Sequence, residues 1–311
     1  MIISASRRTD IPSYYSEWLF NRIQDGFVLV RNPMNIHQIS KINLAPDMID
    51  GIVFWTKNPS PMLSRLGELN KYTYYFQFTI NPYGEEIEQA LPSKRKVIIP
   101  SFIDLSNKIG ADRVIWRYDP ILINKKYSIE KHIKYFEMLA RLLKGYTKKC
   151  VISFVDMYRN TANNVKELKL ETIKNEDMLI LAEGFSKIAK QCDIELCTCS
   201  ELIELSEYEI YHAHCIDKKL FEYLGNCPLK VGKDQNQRKE CGCVASVDIG
   251  AYNSCKNLCR YCYANYNINI VNRNYQLHNP TSPLLFGEVG EEDNITERKM
   301  KSFRDEQLRL F

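Results

Sequence analysis

The residues with the most specific chemistry are three cysteines, Cys255, Cys259 and Cys262, which have the spacing C-x3-C-x2-C. Protein thiolates hold iron–sulfur clusters, and a [4Fe–4S] cluster normally takes four of them. Three thiolates on one loop hold three corners of the cubane, so the fourth iron stays open to another ligand. Zinc is the alternative metal, because it takes four ligands and Cys241 and Cys243 could supply the fourth.

The residues around these cysteines resemble the signature of radical S-adenosylmethionine enzymes. Tyr261 directly precedes the third cysteine, and residues 261–264 read Tyr-Cys-Tyr-Ala, which is similar to the spore-photoproduct-lyase-like (DNA repair photolyase) branch. The resemblance implies that the open iron binds the amino and carboxylate groups of S-adenosylmethionine, with Tyr261 near its adenine. It also implies reductive cleavage to a 5′-deoxyadenosyl radical, with an electron donor such as flavodoxin or ferredoxin.

Short apolar runs alternate with helical patterns, which predicts an α/β fold whose parallel strands are buried on both faces. Asp10 and Ser128 are predicted to begin two of the helices. About eight repeats of the alternation predict a TIM-type (β/α)8 or closely related barrel, with an open doubly wound sheet as the alternative. The predicted strands are 2–6, 27–31, 51–56, 73–80, 113–118, 150–155, 194–198 and 244–249.

The position of the cysteine motif departs from the usual order of radical S-adenosylmethionine enzymes. In most of them the motif follows the first strand, whereas here it follows the last predicted strand, 244–249. Because a barrel is cyclic, this last strand would lie beside the first strand, 2–6. We therefore expect a circularly permuted barrel, in which the cluster loop opens on the same rim as the other strand ends.

Polar residues follow several predicted strands, and in a parallel barrel these strand ends form the rim where active sites lie. Arg117 is suited to bind a carboxylate of the cosubstrate, and Asp119 to accept from its amino group or ribose. Arg7 and Arg8 are expected beside the cluster loop, where their charge suits an anionic substrate. Salt bridges that brace the barrel end are the alternative. The predicted catalytic residues are Arg7, Arg8, Asp10, Lys57, Arg117 and Asp119.

Nearly the whole chain resembles the family catalogued as domain of unknown function 1848. That family is noted for a cysteine cluster near its carboxyl end like that of radical S-adenosylmethionine enzymes, and the resemblance supplies no reaction. It rests on residues 3–12 (ISASRRTDIP), 54–59 (FWTKNP), 114–120 (VIWRYDP), 150–156 (CVISFVD), 248–252 (DIGAY) and 282–288 (SPLLFGE).

A second metal site is predicted from four cysteines that match the pattern of this family, Cys199, Cys215, Cys241 and Cys243. Four thiolates fully ligate an auxiliary [4Fe–4S] cluster, and they suit zinc equally well. The prediction has a geometric difficulty. Cys199 follows one predicted strand, whereas Cys241 and Cys243 precede another, which would put them at opposite ends of neighbouring parallel strands.

Composition and charge set broad limits on the function. The 311 residues have a formal net charge of +4, which permits a nucleic-acid partner and does not indicate one. Ten of the eleven cysteines lie between residues 192 and 262, a clustering that indicates metal or redox work in a reducing compartment. No long apolar run occurs, so we expect a cytoplasmic protein without a membrane span. Residues 1–262 are predicted to form the barrel domain, and residues 263–311 a polar extension that packs on it or is partly flexible.

These observations predict a radical S-adenosylmethionine enzyme that acts on an unknown substrate, possibly nucleic acid or another anionic molecule. Two alternatives from other classes stay open. One is an iron–sulfur electron-transfer protein that never cleaves the cosubstrate, and the other is a zinc-stabilised nucleic-acid-binding module.

Overall fold

A computed structural model of the chain describes residues 1–157 and 159–305. Its strands are β1 Ile2–Ala5, β2 Phe27–Asn32, β3 Asn35–Asn43, β4 Gly51–Thr56, β5 Tyr74–Thr79, β6 Val114–Ile121, β7 Lys149–Phe154, β8 Glu195–Thr198, β9 Tyr211–His212, β10 Val247–Asp248 and β11 Asn294–Glu297. Its α-helices are α1 Ile11–Tyr14, α2 Ser16–Asp25, α3 Ile99–Ile109, α4 Ile129–Leu143, α5 Arg159–Val165, α6 Asn175–Gln191, α7 Lys218–Gly225 and α8 Ile268–Gln276. Helical segments of other types are the 3-10 helices Ser60–Leu69, Ala111–Arg113, Lys166–Leu168 and Ser206–Tyr208 and the π-helix Lys94–Ile98.

Eight strands form one sheet in the order β10-β1-β4-β5-β6-β7-β8-β9, and every neighbouring pair is parallel. The prediction that the last strand lies beside the first is confirmed, because Val247 of β10 pairs with Ile3 of β1. The carboxyl ends of all eight strands therefore face one edge of the sheet, and the loops that follow them meet there.

The predicted closed barrel is wrong, because neither sheet of the described chain is closed. The edge strands β9 and β10 have two residues each, too few to sustain a ladder across the gap. The segment between them leaves the sheet and packs on one of its faces. The predicted strand 27–31 also lies elsewhere: β2 pairs antiparallel with β3, and β11 pairs parallel with β3, in a separate three-stranded sheet.

Alternate residues of the central strands point to opposite faces of the large sheet. Phe54, Phe76 and Trp116 belong to the core that contains the apolar residues of α2, α3, α4 and α6. Val53 and Ile115 belong to a second core, formed with the segment 215–244 that includes α7. The four long crossover helices thus share one face, and α7 lies on the other. The large sheet is open, as the predicted alternative expected.

Residues 281–284, which follow the three cysteines at 255–262 along the chain, pack against α2. The indole Nε1 of Trp18 donates to the carbonyls of Ser282 and Leu284, at 2.9 and 3.0 Å, and Arg22 donates to the carbonyl of Thr281 at 2.9 Å. The division of the chain at residue 262 stays a prediction, and residues 306–311 of the predicted extension lie outside the described residues. Within residues 1–157 and 159–305, no helix has both the length and the apolar character needed to cross a membrane.

The predicted helix starts at Asp10 and Ser128 are confirmed, since each side chain accepts from a backbone amide three residues later.

The helix α4 that begins after Ser128 carries His132, which is fully buried. Its Nε2 lies 2.9 Å from the carbonyl of Leu122, which can only accept, so Nε2 carries the proton. Nδ1 then accepts from the Tyr118 hydroxyl at 2.8 Å. Burial lowers the pKa of His132 to about 4 and keeps the ring neutral.

We predict that His132 makes the stability of the protein depend on pH. Its folded pKa lies below its unfolded pKa of about 6.5, so its contribution is complete above pH 6.5 and is lost as the pH falls toward 4. The free energy of unfolding should fall by roughly 2 kcal/mol between pH 7 and pH 5 on account of this residue. Urea unfolding of the wild type and His132→Gln at both pH values measures it. The exposed His37→Gln is the control, and equal pH dependence in the wild type and His132→Gln would contradict the prediction.

Candidate functional site

A cavity of about 580 Å³ opens at the carboxyl ends of the parallel strands. Its lining includes every residue that the sequence singled out for a site, both the polar residues of the strand ends and the two cysteine sets. These are Arg7, Arg8, Asp10, Lys57, Arg117, Asp119 and Tyr261, together with Cys199, Cys215, Cys241, Cys243, Cys255, Cys259 and Cys262.

The loop that carries the first cysteine set directly follows β10 and is fixed by hydrogen bonds on several sides. We call residues 253–265 the cysteine loop. The Tyr15 hydroxyl donates to the carbonyl of Ser254 at 2.6 Å, and the Asn265 side chain donates to the carbonyl of Cys255 at 2.7 Å. Leu258 has a φ of +51°, a conformation that turns the chain sharply between the first two cysteines.

The three thiols of the cysteine loop lie in an environment that disfavours their charged form. Burial raises the pKa of Cys255 well above its ordinary value and raises the pKa of Cys259 to about 12. Burial likewise raises the pKa of Cys262. These thiols are therefore protonated at neutral pH unless a bound cation stabilises the thiolates, and any metal that binds there must displace their protons.

Asp10, predicted as a catalytic residue of the rim, is buried and has hydrogen bonds to both carboxylate oxygens. Oδ1 accepts from the amide of Ser13 at 3.1 Å and from the Thr56 hydroxyl at 2.8 Å. Oδ2 accepts from the amide of Lys57 and from the Asn257 side chain, both at 2.8 Å. Asp10 thus joins the start of α1, the end of β4 and the cysteine loop, and it holds these three segments in place relative to one another.

Glu88 is a member of the site that sequence reasoning missed. Its carboxylate is buried, accepts from the Lys57 ammonium at 2.8 Å, and also bonds to Lys94 and to the Tyr261 hydroxyl. The Lys57 ammonium lies 5.3 Å from the centre of the Tyr261 ring. No sequence signal marks Glu88, because it stands in an irregular segment and pairs with Cys259 only through the fold.

The second cysteine set forms a chain of sulfur contacts on the other side of the cavity. The Sγ atoms of Cys199 and Cys215 lie 3.0 Å apart, and hydrogen bonds link Cys215 to Cys243 and Cys243 to Cys241. The hydrogen bond with Cys243 lowers the pKa of Cys241 to about 6. The geometric difficulty of the sequence disappears, because the segment before Cys241 crosses the face of the sheet and returns to the same rim.

Arg117 and Asp119 satisfy each other, although the sequence assigned both to the cosubstrate. The Arg117 Nε donates to Asp119 Oδ2 at 2.8 Å, and Nη1 donates to Cys215 Sγ at 2.9 Å and to Gln77 Oε1 at 3.3 Å. Arg117 is buried, so its guanidinium provides a compensating charge beside the second cysteine set. The salt bridge foreseen as the alternative role is present here.

Arg7 and Arg8 lie beside the cysteine loop, as predicted. The Tyr263 hydroxyl donates to the carbonyl of Arg7 at 3.0 Å, and the Arg8 guanidinium lies 5.1 Å from the centre of the Tyr252 ring. Asp248, at the end of β10, accepts from the amide of Arg7 at 2.8 Å. This carboxylate therefore sets the backbone from which both arginines extend.

The positions of the thiols do not amount to a formed site for a metal ion. Across residues 1–157 and 159–305, no group of three or more histidine, cysteine, aspartate or glutamate side chains is arranged to hold one. Both predicted metal sites, and with them the roles predicted for Tyr261 and the rim residues, stay predictions. The structure brings the two cysteine sets into one cavity.

Comparison with protein families gives one result. Residues 2–264 match the model of a domain of unknown function, DUF1848. The chain belongs to this family. A search of curated proteins finds no match. Family membership confirms the resemblance seen in the sequence, whereas it neither names a reaction nor confirms the resemblance to radical S-adenosylmethionine enzymes.

We predict that Asn257 contributes more to stability than an ordinary loop asparagine. Its side chain donates to Asp10 and accepts from the Tyr14 hydroxyl at 3.0 Å, so Asn257→Ala removes one of the donors of a buried carboxylate and the acceptor of a half-buried hydroxyl. The free energy of unfolding should fall by about 1–3 kcal/mol. Urea unfolding measures it, with Asn272→Ala as the matched control, because the half-buried Asn272 side chain has one hydrogen bond among the described residues, from the Lys256 ammonium at 2.6 Å. Equal losses in the two variants would contradict the prediction.

Proposed function

We propose that this protein binds a [4Fe–4S] cluster through Cys255, Cys259 and Cys262 and uses it in radical S-adenosylmethionine chemistry. The observation that carries the proposal is the placement of these three thiols. They lie on one anchored loop and open into a cavity at the carboxyl ends of eight parallel strands. Three thiolates leave one iron without a protein ligand, which is the position that a cosubstrate needs.

A buried acceptor beside the cysteine loop fits the cosubstrate. The Asn265 side chain is buried, and its amide nitrogen donates to the carbonyl of Cys255. Because the Cys255 carbonyl can only accept, the atom that faces it is the amide nitrogen of Asn265, and the other amide atom is the oxygen Oδ1. This oxygen lies in a residue of the cavity lining and has no hydrogen-bond partner among the described residues. The amino group or a ribose hydroxyl of S-adenosylmethionine would supply the missing donor. With the cluster and S-adenosylmethionine bound, the reduced cluster would supply the one electron for cleavage to methionine and a 5′-deoxyadenosyl radical.

The residues of the chain hold and shield this site. Asp10 and Asn257 fix the cysteine loop, and Glu88 holds Tyr261 and neutralises Lys57 next to Cys259. We expect Tyr261 to lie near the adenine. The cavity partly encloses the reacting groups, which would limit the side reactions that a radical would otherwise undergo.

The second cysteine set is proposed to hold an auxiliary [4Fe–4S] cluster. Arg117 supports this assignment, because its N–H group donates to Cys215 Sγ and hydrogen bonds to ligand sulfurs adjust cluster potentials. A cluster with four protein ligands has no open iron, so its role would be electron relay or substrate binding. An electron donor such as flavodoxin or ferredoxin, in the cytoplasm, would serve the first cluster.

The protein purified without oxygen should be brown and contain iron and sulfide at about four or eight per chain. Replacing Cys255, Cys259 and Cys262 together with serine should remove about four iron atoms, because the first cluster loses its ligands. Iron, sulfide and zinc analysis measures this, with Cys227→Ser as the control that keeps full content. Cys227 does not line the cavity. A colourless protein with stoichiometric zinc would exclude both clusters and favour the zinc-stabilised module.

The loaded protein should convert S-adenosylmethionine to 5′-deoxyadenosine when dithionite reduces it, and the triple cysteine variant should lose this activity at least tenfold. Chromatographic detection of 5′-deoxyadenosine measures it, and the Cys227→Ser protein should match the wild type. If the fully loaded protein releases no 5′-deoxyadenosine, the proposed reaction fails, and an electron-transfer protein becomes the better account of the clusters.

A further inference from the structure

The unpartnered polar atoms of the interior are concentrated in the cavity. Among the described residues, six buried side-chain nitrogen or oxygen atoms lack a hydrogen-bond partner, and only Arg22 Nε lies outside the cavity lining. Buried polar groups without partners are costly, so five in one cavity indicate a ligand that supplies the missing bonds. The five atoms are Arg7 Nη2, Thr9 Oγ1, Trp55 Nε1, Thr161 Oγ1 and Asn265 Oδ1.

Two of the five, Arg7 Nη2 and Trp55 Nε1, can only donate, and they lie together on the side of the second cysteine set. The Arg7 guanidinium lies 5.6 Å from the centre of the Trp55 ring, and the Arg117 guanidinium lies 5.4 Å from it. Trp55 packs against the core that contains Cys215 and Cys243. Asn265, by contrast, lies in the cysteine loop. The two donors of Arg7 and Trp55 and the unpaired acceptor Asn265 Oδ1 therefore lie in different parts of the cavity.

The charges around this pair leave Arg7 without a carboxylate in direct contact. Lys57 pairs with Glu88 at 2.8 Å and Arg117 pairs with Asp119, whereas Arg7 forms no salt bridge within the described part of the chain. Asp248, the nearest acidic residue, accepts from the amide of Arg7 and from the hydroxyls of Ser4 and Ser6. A guanidinium with an unused N–H group, over a ring whose indole N–H is also unused, can supply two donors to the oxygens of an anion.

We propose that Arg7 and Trp55 bind the anionic group, a carboxylate or a phosphate, of a small-molecule substrate between the two cysteine sets. That the bound molecule is a substrate rests on the proposed function, whereas the anion-binding site itself does not depend on the cluster. A cavity of about 580 Å³ has the size of a small-molecule site. A nucleic-acid strand would need several phosphate contacts, and the pair of Arg7 and Trp55 provides one.

The test is anion binding by the full chain, purified without oxygen and analysed for iron in the same preparation. Inorganic phosphate and acetate are titrated calorimetrically at constant ionic strength, with chloride as the reference. At least one of the two should bind, and Arg7→Gln should weaken that binding at least tenfold. Trp55→Phe, which keeps an aromatic ring at this position and removes the N–H donor, should weaken it several-fold. Whichever anion binds more tightly identifies the group that the substrate carries.

Arg95→Gln is the matched control, because Arg95 is exposed and lies outside the cavity lining, and it should bind the anion like the wild type. The proposal is overturned if neither anion binds above the chloride reference, or if Arg7→Gln and Trp55→Phe both bind as the wild type does. Thermal unfolding without anion confirms that the variants are folded. Anion binding that depends on Arg7 in a protein without iron would support this site while refuting the proposed radical function, so the two can fail separately.

Discussion

The parallel pairing of β10 with β1 is the constraint on which the candidate site depends. It joins residues about 240 positions apart in the chain, and Asp248 fixes it by accepting from Ser4, Ser6 and the amide of Arg7. The fit is close, because a Cβ on Gly250 would lie 2.2 Å from the Ser6 hydroxyl. This pairing brings the cysteine loop to the strand ends that carry Arg7 and Asp10, and without it the loop would have no cavity to face.

The sequence predicted the central strands well, since continuous apolar runs such as Gly51–Thr56 leave few alternatives to a buried parallel strand. The prediction from sequence failed where a strand belongs to another sheet. The run 27–31 has the composition of a strand of the large sheet, but it pairs antiparallel with the next strand along the chain, β3, and composition does not reveal that partner. The closed barrel failed because the edge strands β9 and β10 are short and the segment between them, with α7, packs on the sheet face opposite the long crossover helices.

The members of the site were predictable to the extent that spacing and strand ends reveal them. The cysteines and the rim residues all line the cavity, because parallel strands bring their carboxyl ends to one edge. Their pairings were not predictable, since Glu88, Gln77 and Asn257 reach the site from separate segments. In these pairings, Asp10 and Arg117 form hydrogen bonds with other residues of the chain, whereas Arg7 Nη2 keeps an unused donor.

The two cysteine sets share an environment that keeps most of their thiols protonated, and one thiol departs from it. Burial raises the pKa of Cys255 and Cys262 in the cysteine loop. In the second set the pKa values of Cys199, Cys215 and Cys243 are raised as well, whereas the hydrogen bond with Cys243 lowers the pKa of Cys241 to about 6. Because metal affinity follows the availability of thiolates, a metal bound by either set would have to displace protons from most of its thiols. A thiolate at Cys241 would place its charge on the side of the cavity where Arg7 and Arg117 lie.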